Sequence, residues 1–172
     1  MLVPLLLSSF AAGLIATAFM VFFLYLPQAW GGDTFDVVRA IGSALTGEVD
    51  RQSAYLGSVL YFAGGVVFAA FYGWIAALLI GANSGIQVPQ IPLELGLPTD
   101  VNLFFPLLGI VLGLAHGGIV ALFGTIVIIE HHPLERFRTR YQLIVSQIFS
   151  HLVYGAVVMF FHHQFLQLLL GA

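Results

Sequence analysis

The chain has no cysteine and no lysine, and only 8% of its 172 residues are charged. Without cysteine there is no disulfide, no thiolate ligation of zinc or iron–sulfur clusters, and no thiol nucleophile. The basic side chains amount to five arginines, too few and too scattered to grip phosphates, which excludes nucleic acid as a partner. A soluble domain carries about 25% charged residues, so this chain lacks the polar surface to face water. That excludes a soluble enzyme and a disordered segment. Also missing are G-x-S-x-G, H-E-x-x-H, G-x-G-x-x-G and P-loop patterns. No carboxylate pair lies within the apolar segments for acid–base work, and the chain reads as non-enzymatic.

What is present is apolar: 60% of residues are hydrophobic and the mean hydropathy is +1.02. Four runs, 3–25, 54–80, 102–129 and 143–163, each exceed the roughly 20 residues needed to cross a bilayer at 1.5 Å per residue. The tail 164–170 extends the fourth. The first run has no basic residue before it and exceeds the 7–15 residues usual for the core of a signal peptide, so it reads as a retained span. No strand alternation competes with these runs. The expected fold is an all-α integral membrane protein, one four-transmembrane-helix bundle over residues 1–172.

Arg39 and Arg51 lie between the first and second runs, and Arg136, Arg138 and Arg140 between the third and fourth. The second connection and both termini have none. The positive-inside rule makes the arginine side cytoplasmic and both termini external. Single cysteines in place of Ser84 and Thr139 are therefore expected to label from opposite sides of intact cells, Ser84→Cys from outside; protection of Ser84→Cys with reaction of Thr139→Cys inverts the topology.

Residues 33–46 open with Asp33-Thr34-Phe35-Asp36, acidic where a helix dipole favours it. Phe35, Val38, Ile41, Ala44 and Leu45 then recur opposite Arg39, Ser43 and Thr46. A short amphipathic helix in the membrane interface is expected, with packing on a partner subunit as the alternative. The outer connection carries Pro89, Pro92 and Pro98 between apolar residues and favours extended backbone.

Small residues at four-residue spacing let membrane helices approach closely. Gly109, Gly113, Gly117, Ala121 and Thr125 make one such stripe; Gly57, Gly65, Ala69, Gly73 and Ala77, interrupted by Tyr61, make another; Ser9, Gly13 and Thr17 a third. Tyr61–Phe68 also aligns with His151–Val158, setting Gly65 on Gly155 and Tyr61 on His151, with Gly13 and Gly113 similarly placed in the first and third spans. Such a match points to a parallel repeat of helix pairs.

The segments Gly13-Leu14-Ile15-Ala16-Thr17, Phe68-Ala69-Ala70-Phe71-Tyr72 and Ser150-His151-Leu152-Val153-Tyr154-Gly155 resemble an uncharacterised family of small four-helix prokaryotic membrane proteins, a domain of unknown function. The resemblance implies the four-helix fold and a prokaryotic plasma membrane, and it implies no activity. That family often carries histidine where Tyr61 stands here.

Ionisable residues inside a bilayer are costly and mark sites. His116 lies 14 residues from Glu130, roughly 21 Å along the axis, and His151 roughly 15 Å into the fourth span from the same side. Three readings are open. The rings are structural, hydrogen-bonded to Tyr61 or Tyr154; or they ligate haem b, or singly a chlorophyll-type pigment; or they relay protons. Glu130, His131 and His132 before Pro133 are of metal-ligand type, but neighbours on a helix point about 100° apart, and helix punctuation is the alternative. His162 and His163 lie at the other end of the fourth span, too far from His151 to share a site. The functional expectation is a scaffold or accessory subunit of a larger energy-transducing (respiratory or photosynthetic) membrane complex. Its partners would be lipids and other membrane subunits or copies of itself. The alternatives are a haem- or pigment-binding electron-transfer anchor and a small oligomeric transporter.

Overall fold

A computed structural model describes residues 2–32, 35–80, 88–93, 101–138 and 142–171. Asp33, Thr34, Ser84, Pro98, Thr139 and Arg140 lie outside the described residues, so the acidic start of the amphipathic segment and both labelling positions are expectations from sequence alone.

Among the described residues, four helices are long and apolar enough to cross a membrane. The helix α1 spans Leu2–Tyr25 and tightens into a 3-10 turn at Leu26–Trp30, where Pro27 withholds an N–H from the α-ladder. A short helix, α2, covers Val37–Thr46, and α3 runs from Arg51 to Ile80. Its start is fixed reciprocally: Ser53 N–H donates to Asp50 Oδ1 at 2.7 Å, and Asp50 N–H donates to Ser53 Oγ at 3.1 Å. The helix α4, Phe104–Gly124, passes into a π-helical turn at Thr125–Glu130. The sequence from Thr125 to Ile129 is five successive β-branched residues, a run that disfavours the tighter α-ladder. The last helix, α5, extends from Gln142 through the tail to Leu170.

The second connection is not wholly irregular. A minimal antiparallel ladder pairs β1, Pro92–Leu93, with β2, Val101–Asn102. The buried Asn102 amide ties it together. Its Oδ1 accepts from Ile91 N at 3.1 Å and from Phe104 N at 3.0 Å, and its Nδ2 donates to Pro89 O at 3.1 Å. Asn102 is thus a loop anchor, and the third span begins two residues later than hydropathy sets it.

Packing runs α3–α1–α5–α4, all adjacent pairs antiparallel. Between α4 and α5, a Cβ on Gly109 would strike Gly155 O, and one on Gly113 would strike His151 O. Between α1 and α3, a Cβ on Gly13 would stand 2.8 Å from Ala69 Cβ, and one on Gly65 would strike Thr17 Oγ1. Ala76, rather than Ala77, continues the buried face of α3. The aligned glycines therefore meet in both pairs: Gly13 approaches Gly65, and Gly155 approaches Gly113. The symmetry stops there: α1 packs tightly on α5, whereas α3 and α4 stand apart at the backbone and meet only through side chains such as Phe68, Tyr72 and His116.

The short helix is amphipathic as expected, but its start and the face it buries differ from the reading of the sequence. Its N-cap is Asp36, whose Oδ1 accepts from Arg39 N at 3.0 Å and from the Tyr25 hydroxyl at 2.7 Å, so the helix begins at Val37 and not at 33. Gly47, at φ 75°, closes it through an N–H to Ser43 O. It buries Val37, Ala40, Gly42 and Ser43, whereas Leu45, assigned to the apolar face, is 67% exposed. Gly42 and Gly57 cause the rotation: a Cβ on Gly42 would strike Ser53 O, and one on Gly57 would strike Val38 O. So α2 is pressed onto the start of α3.

Candidate functional site

Where α3 and α4 diverge, a cavity of about 600 Å³ opens. Aliphatic groups of α2 (Ile41, Ala44 and Leu45) line one end, and Tyr61, His116, Gln147, His151 and Tyr154 line the other. Leu60, Phe68, Ile119 and Phe123 border it and are also exposed at 39–61%, so it communicates with the outer surface of the bundle.

The polar end is built from three helix faces. On α5, Gln147, His151 and Tyr154 follow at i, i+4 and i+7, the spacing of a single face. On α3, Tyr61, Phe68 and Tyr72 stand at i, i+7 and i+11. His116 comes from the middle of α4, beside the glycine stripe.

The two central histidines are brought together, with ring centres 4.6 Å apart and planes at 77°. His151 Nδ1–H donates to Gln147 O at 2.7 Å, and a carbonyl only accepts, so Nδ1 carries the proton and Nε2 holds the lone pair. His116 Nδ1 lies 3.3 Å from the Tyr72 hydroxyl, and its ring sits 3.9 Å from that of Phe68. Tyr72 thus takes the place expected of Tyr61 or Tyr154. The Tyr154 hydroxyl donates instead to Gly65 O at 2.5 Å, joining α5 to α3. Reading the sequence alone overlooks Tyr72, although its three-turn offset from Tyr61 puts both on one face.

Three buried side-chain atoms here have no hydrogen-bond partner among the described residues: Tyr61 Oη, His116 Nε2 and Gln147 Oε1. Gln147 is only 2% exposed. Each orphan costs about 1–3 kcal/mol.

Two axial imidazoles on one iron need about 2 Å per metal–nitrogen bond, which sets ring centres about 6 Å apart with both rings pointing along one axis. The observed 4.6 Å edge-on contact leaves no room for a metal or a macrocycle. Nor does any arginine among the described residues line the cavity to meet propionates. A bis-histidine haem does not fit this pair.

The other candidates from the sequence separate. Glu130 and His131 are exposed, and His131 turns back to donate to Ile126 O at 2.6 Å. His132 is 1% exposed: its Nε2–H donates to Ala40 O at 2.9 Å, and Nδ1 accepts from Leu134 N at 3.0 Å. These three do not converge on an ion. His132 instead fastens α2 to the segment after the π-turn. Among the described residues, no group of three His, Cys, Asp or Glu side chains is placed to hold a metal. At the far end, His162 Nδ1 lies 3.0 Å from Ser8 Oγ, and His163 stacks on Phe105 at 3.7 Å. Both are occupied in packing α5.

Comparison with known protein families, with curated proteins and with solved structures returns no match. The chemistry of the cavity wall is what carries a functional reading.

Proposed function

We propose that this protein is a non-enzymatic integral membrane subunit, an accessory component of a larger membrane assembly, whose bundle holds a small lipid-soluble molecule between α3 and α4. The observation that carries this reading is the cavity of about 600 Å³ between α3 and α4, walled by apolar side chains and open to the outer surface of the bundle beside Leu60, Phe68, Ile119 and Phe123. Large apolar side chains exposed on every long helix support a lipid or partner-helix environment: Phe22 on α1, Val67 on α3, Val111 on α4 and Phe149 on α5. The arginine asymmetry supports a prokaryotic plasma membrane orientation with the α2 end cytoplasmic and both termini external.

Two glycines test the proposal. A Cβ on Gly64 meets nothing within 4 Å, and Gly64 lines the cavity; one on Gly118 also meets nothing, and Gly118 faces outward. Gly64→Leu is expected to fill the cavity without disturbing a seam, and to raise α3 stability by up to about 1 kcal/mol through helix propensity. Native mass spectrometry of detergent-released protein then reads the outcome. A co-extracted small molecule present in wild type and Gly118→Leu, and lost from Gly64→Leu, supports the site. Equal retention in all three removes it.

A further inference from the structure

Resting on that reading, we infer that the held molecule is a phospholipid of the leaflet on the α2 side, seated by one acyl chain that lies in the cavity while its head stays outside.

The wall selects a chain. Among the described residues no Asp, Glu or Arg lines the cavity. The unpartnered polar atoms of Tyr61, His116 and Gln147 are covered by their own surroundings and are not presented to it. What a guest meets is carbon: Ile41 and Leu45 of α2, Leu60 and Phe68 of α3, Ile119 and Phe123 of α4. A charged or hydrogen-bonding group drawn in there gives up its partners and finds an apolar wall in return. A hydrocarbon chain gives up nothing and gains dispersion contacts along its length.

Length and position select the leaflet. On α4 the cavity runs from His116 to Val127, roughly 16 Å along the axis. One leaflet has about 15 Å of hydrocarbon, half of a core about 30 Å thick. His116 marks the deep end, near mid-span. At the other end His132, just past the π-turn, donates to Ala40 O at 2.9 Å and so holds α2 beside the end of α4. On the order of thirteen carbons, at about 1.2 Å per bond of an extended chain, fill that length. A partner's membrane helix, about 10–12 Å across with its side chains, does not fit a volume of about 600 Å³ drawn out so far.

The opening admits a chain sideways. Leu60 and Phe68 on α3 and Ile119 and Phe123 on α4 are at once wall and outer surface, so a chain enters from the bilayer without its head leaving the interface. Near α2 that interface carries exposed Arg39, Glu48, Asp50 and Arg51. A guanidinium suits the phosphate of a phospholipid head and a carboxylate its ammonium. Neither sign dominates, so the chain and not the head sets the affinity.

The test uses the full chain in detergent micelles with stoichiometric phosphatidylethanolamine, brominated on its chain either close to the glycerol or close to the methyl end. With Trp30→Phe and Trp74→Phe as background, one tryptophan reports from the cavity: Phe68→Trp at the deep end, or Leu45→Trp beside α2. Methyl-end bromine is expected to quench Phe68→Trp at least about twofold more than glycerol-end bromine, with the order reversed at Leu45→Trp. Adding Gly64→Leu is expected to remove the quenching at Phe68→Trp, and adding Gly118→Leu to leave it. In the wild-type chain, read by thermal midpoint, a dioctanoyl lipid is expected to bind at least about tenfold more weakly than a dioleoyl one. Phosphatidylglycerol is expected to bind within about threefold of phosphatidylethanolamine. Quenching that is equal from both bromine positions and survives Gly64→Leu overturns the acyl-chain assignment, as does binding governed by the head and not by chain length. Co-extraction of a molecule without acyl chains that Gly64→Leu abolishes also overturns it, and leaves the cavity as the binding site. If no lipid shifts the midpoint and Gly64→Leu changes nothing that co-extracts, the site itself falls.

Discussion

Gly113→Leu is expected to stop the bundle from assembling, leaving little folded protein at ordinary expression temperature. A Cβ at this position runs into the backbone carbonyl of His151 and lies 3.2 Å from Leu152 Cα. Backbone cannot rotate aside as a side-chain tip does, so α4 must separate from α5. Gly109 and Gly117, one turn to either side, lose their close approach to Gly155 and Ile148 with it. Overpacking a single core position costs about 1–3 kcal/mol. Losing three turns of contact in a medium with no hydrophobic drive between helices costs more. The same leucine at Gly118, where nothing lies within 4 Å, is expected to change the thermal midpoint by no more than a few degrees. Leu112→Ala, half-buried beside the seam, belongs between the two. Wild-type yield and midpoint in Gly113→Leu would show that the stripe does not hold α4 on α5.

The second large effect is expected at Gly57→Leu, and it is local. Here a Cβ strikes Val38 O and comes within 3.1 Å of Gly42 N, so α2 has to leave the surface of α3. The α1–α5–α4 contacts do not involve Gly57, and the bundle is expected to fold. Released α2 is expected to exchange its amide hydrogens at least about tenfold faster than in wild type and to become open to trypsin at Arg39. The cavity loses its α2 wall of Ile41, Ala44 and Leu45 with it, so retention of the co-extracted molecule is expected to fall as well. His132→Ala removes the other fastening of α2, to Ala40 O, and is expected to have the same effect at smaller size. Unchanged exchange in both variants would show that neither contact holds α2 in place.

Hydropathy made the four long helices legible, because each is an apolar run longer than any soluble helix of this composition needs. The tail 164–170 was legible as well, since α5 does run on to Leu170; what hydropathy could not show is that Ser8 and Phe105 take up His162 and His163 at the end of the fourth run. Periodicity likewise misplaced Ser43: it separates apolar from polar, whereas glycine at Gly42 decides which side of α2 can approach a neighbouring backbone. For the site, the sequence singled out His116 and His151 by their cost in an apolar run. It did not show that Tyr72, rather than Tyr61, holds His116. That depends on the rotation of α3 about its own axis, which the Thr17–Gly65 contact sets.

The unequal treatment of equivalent helix pairs has a mechanical consequence. The seams α1–α3 and α4–α5 are closed at backbone distance and cannot be compressed further, and α1 is held to α5 along its length. The molecule is therefore two stiff leaves joined along α1 and α5, with side chains alone bridging the other edge, Phe68 and Tyr72 to His116 and Tyr154 to Gly65 O. A change in the area it occupies in the plane of the bilayer has one place to go, the opening between α3 and α4. Lateral tension then acts on the same opening that admits a guest, and a guest seated there sets the spread of the leaves.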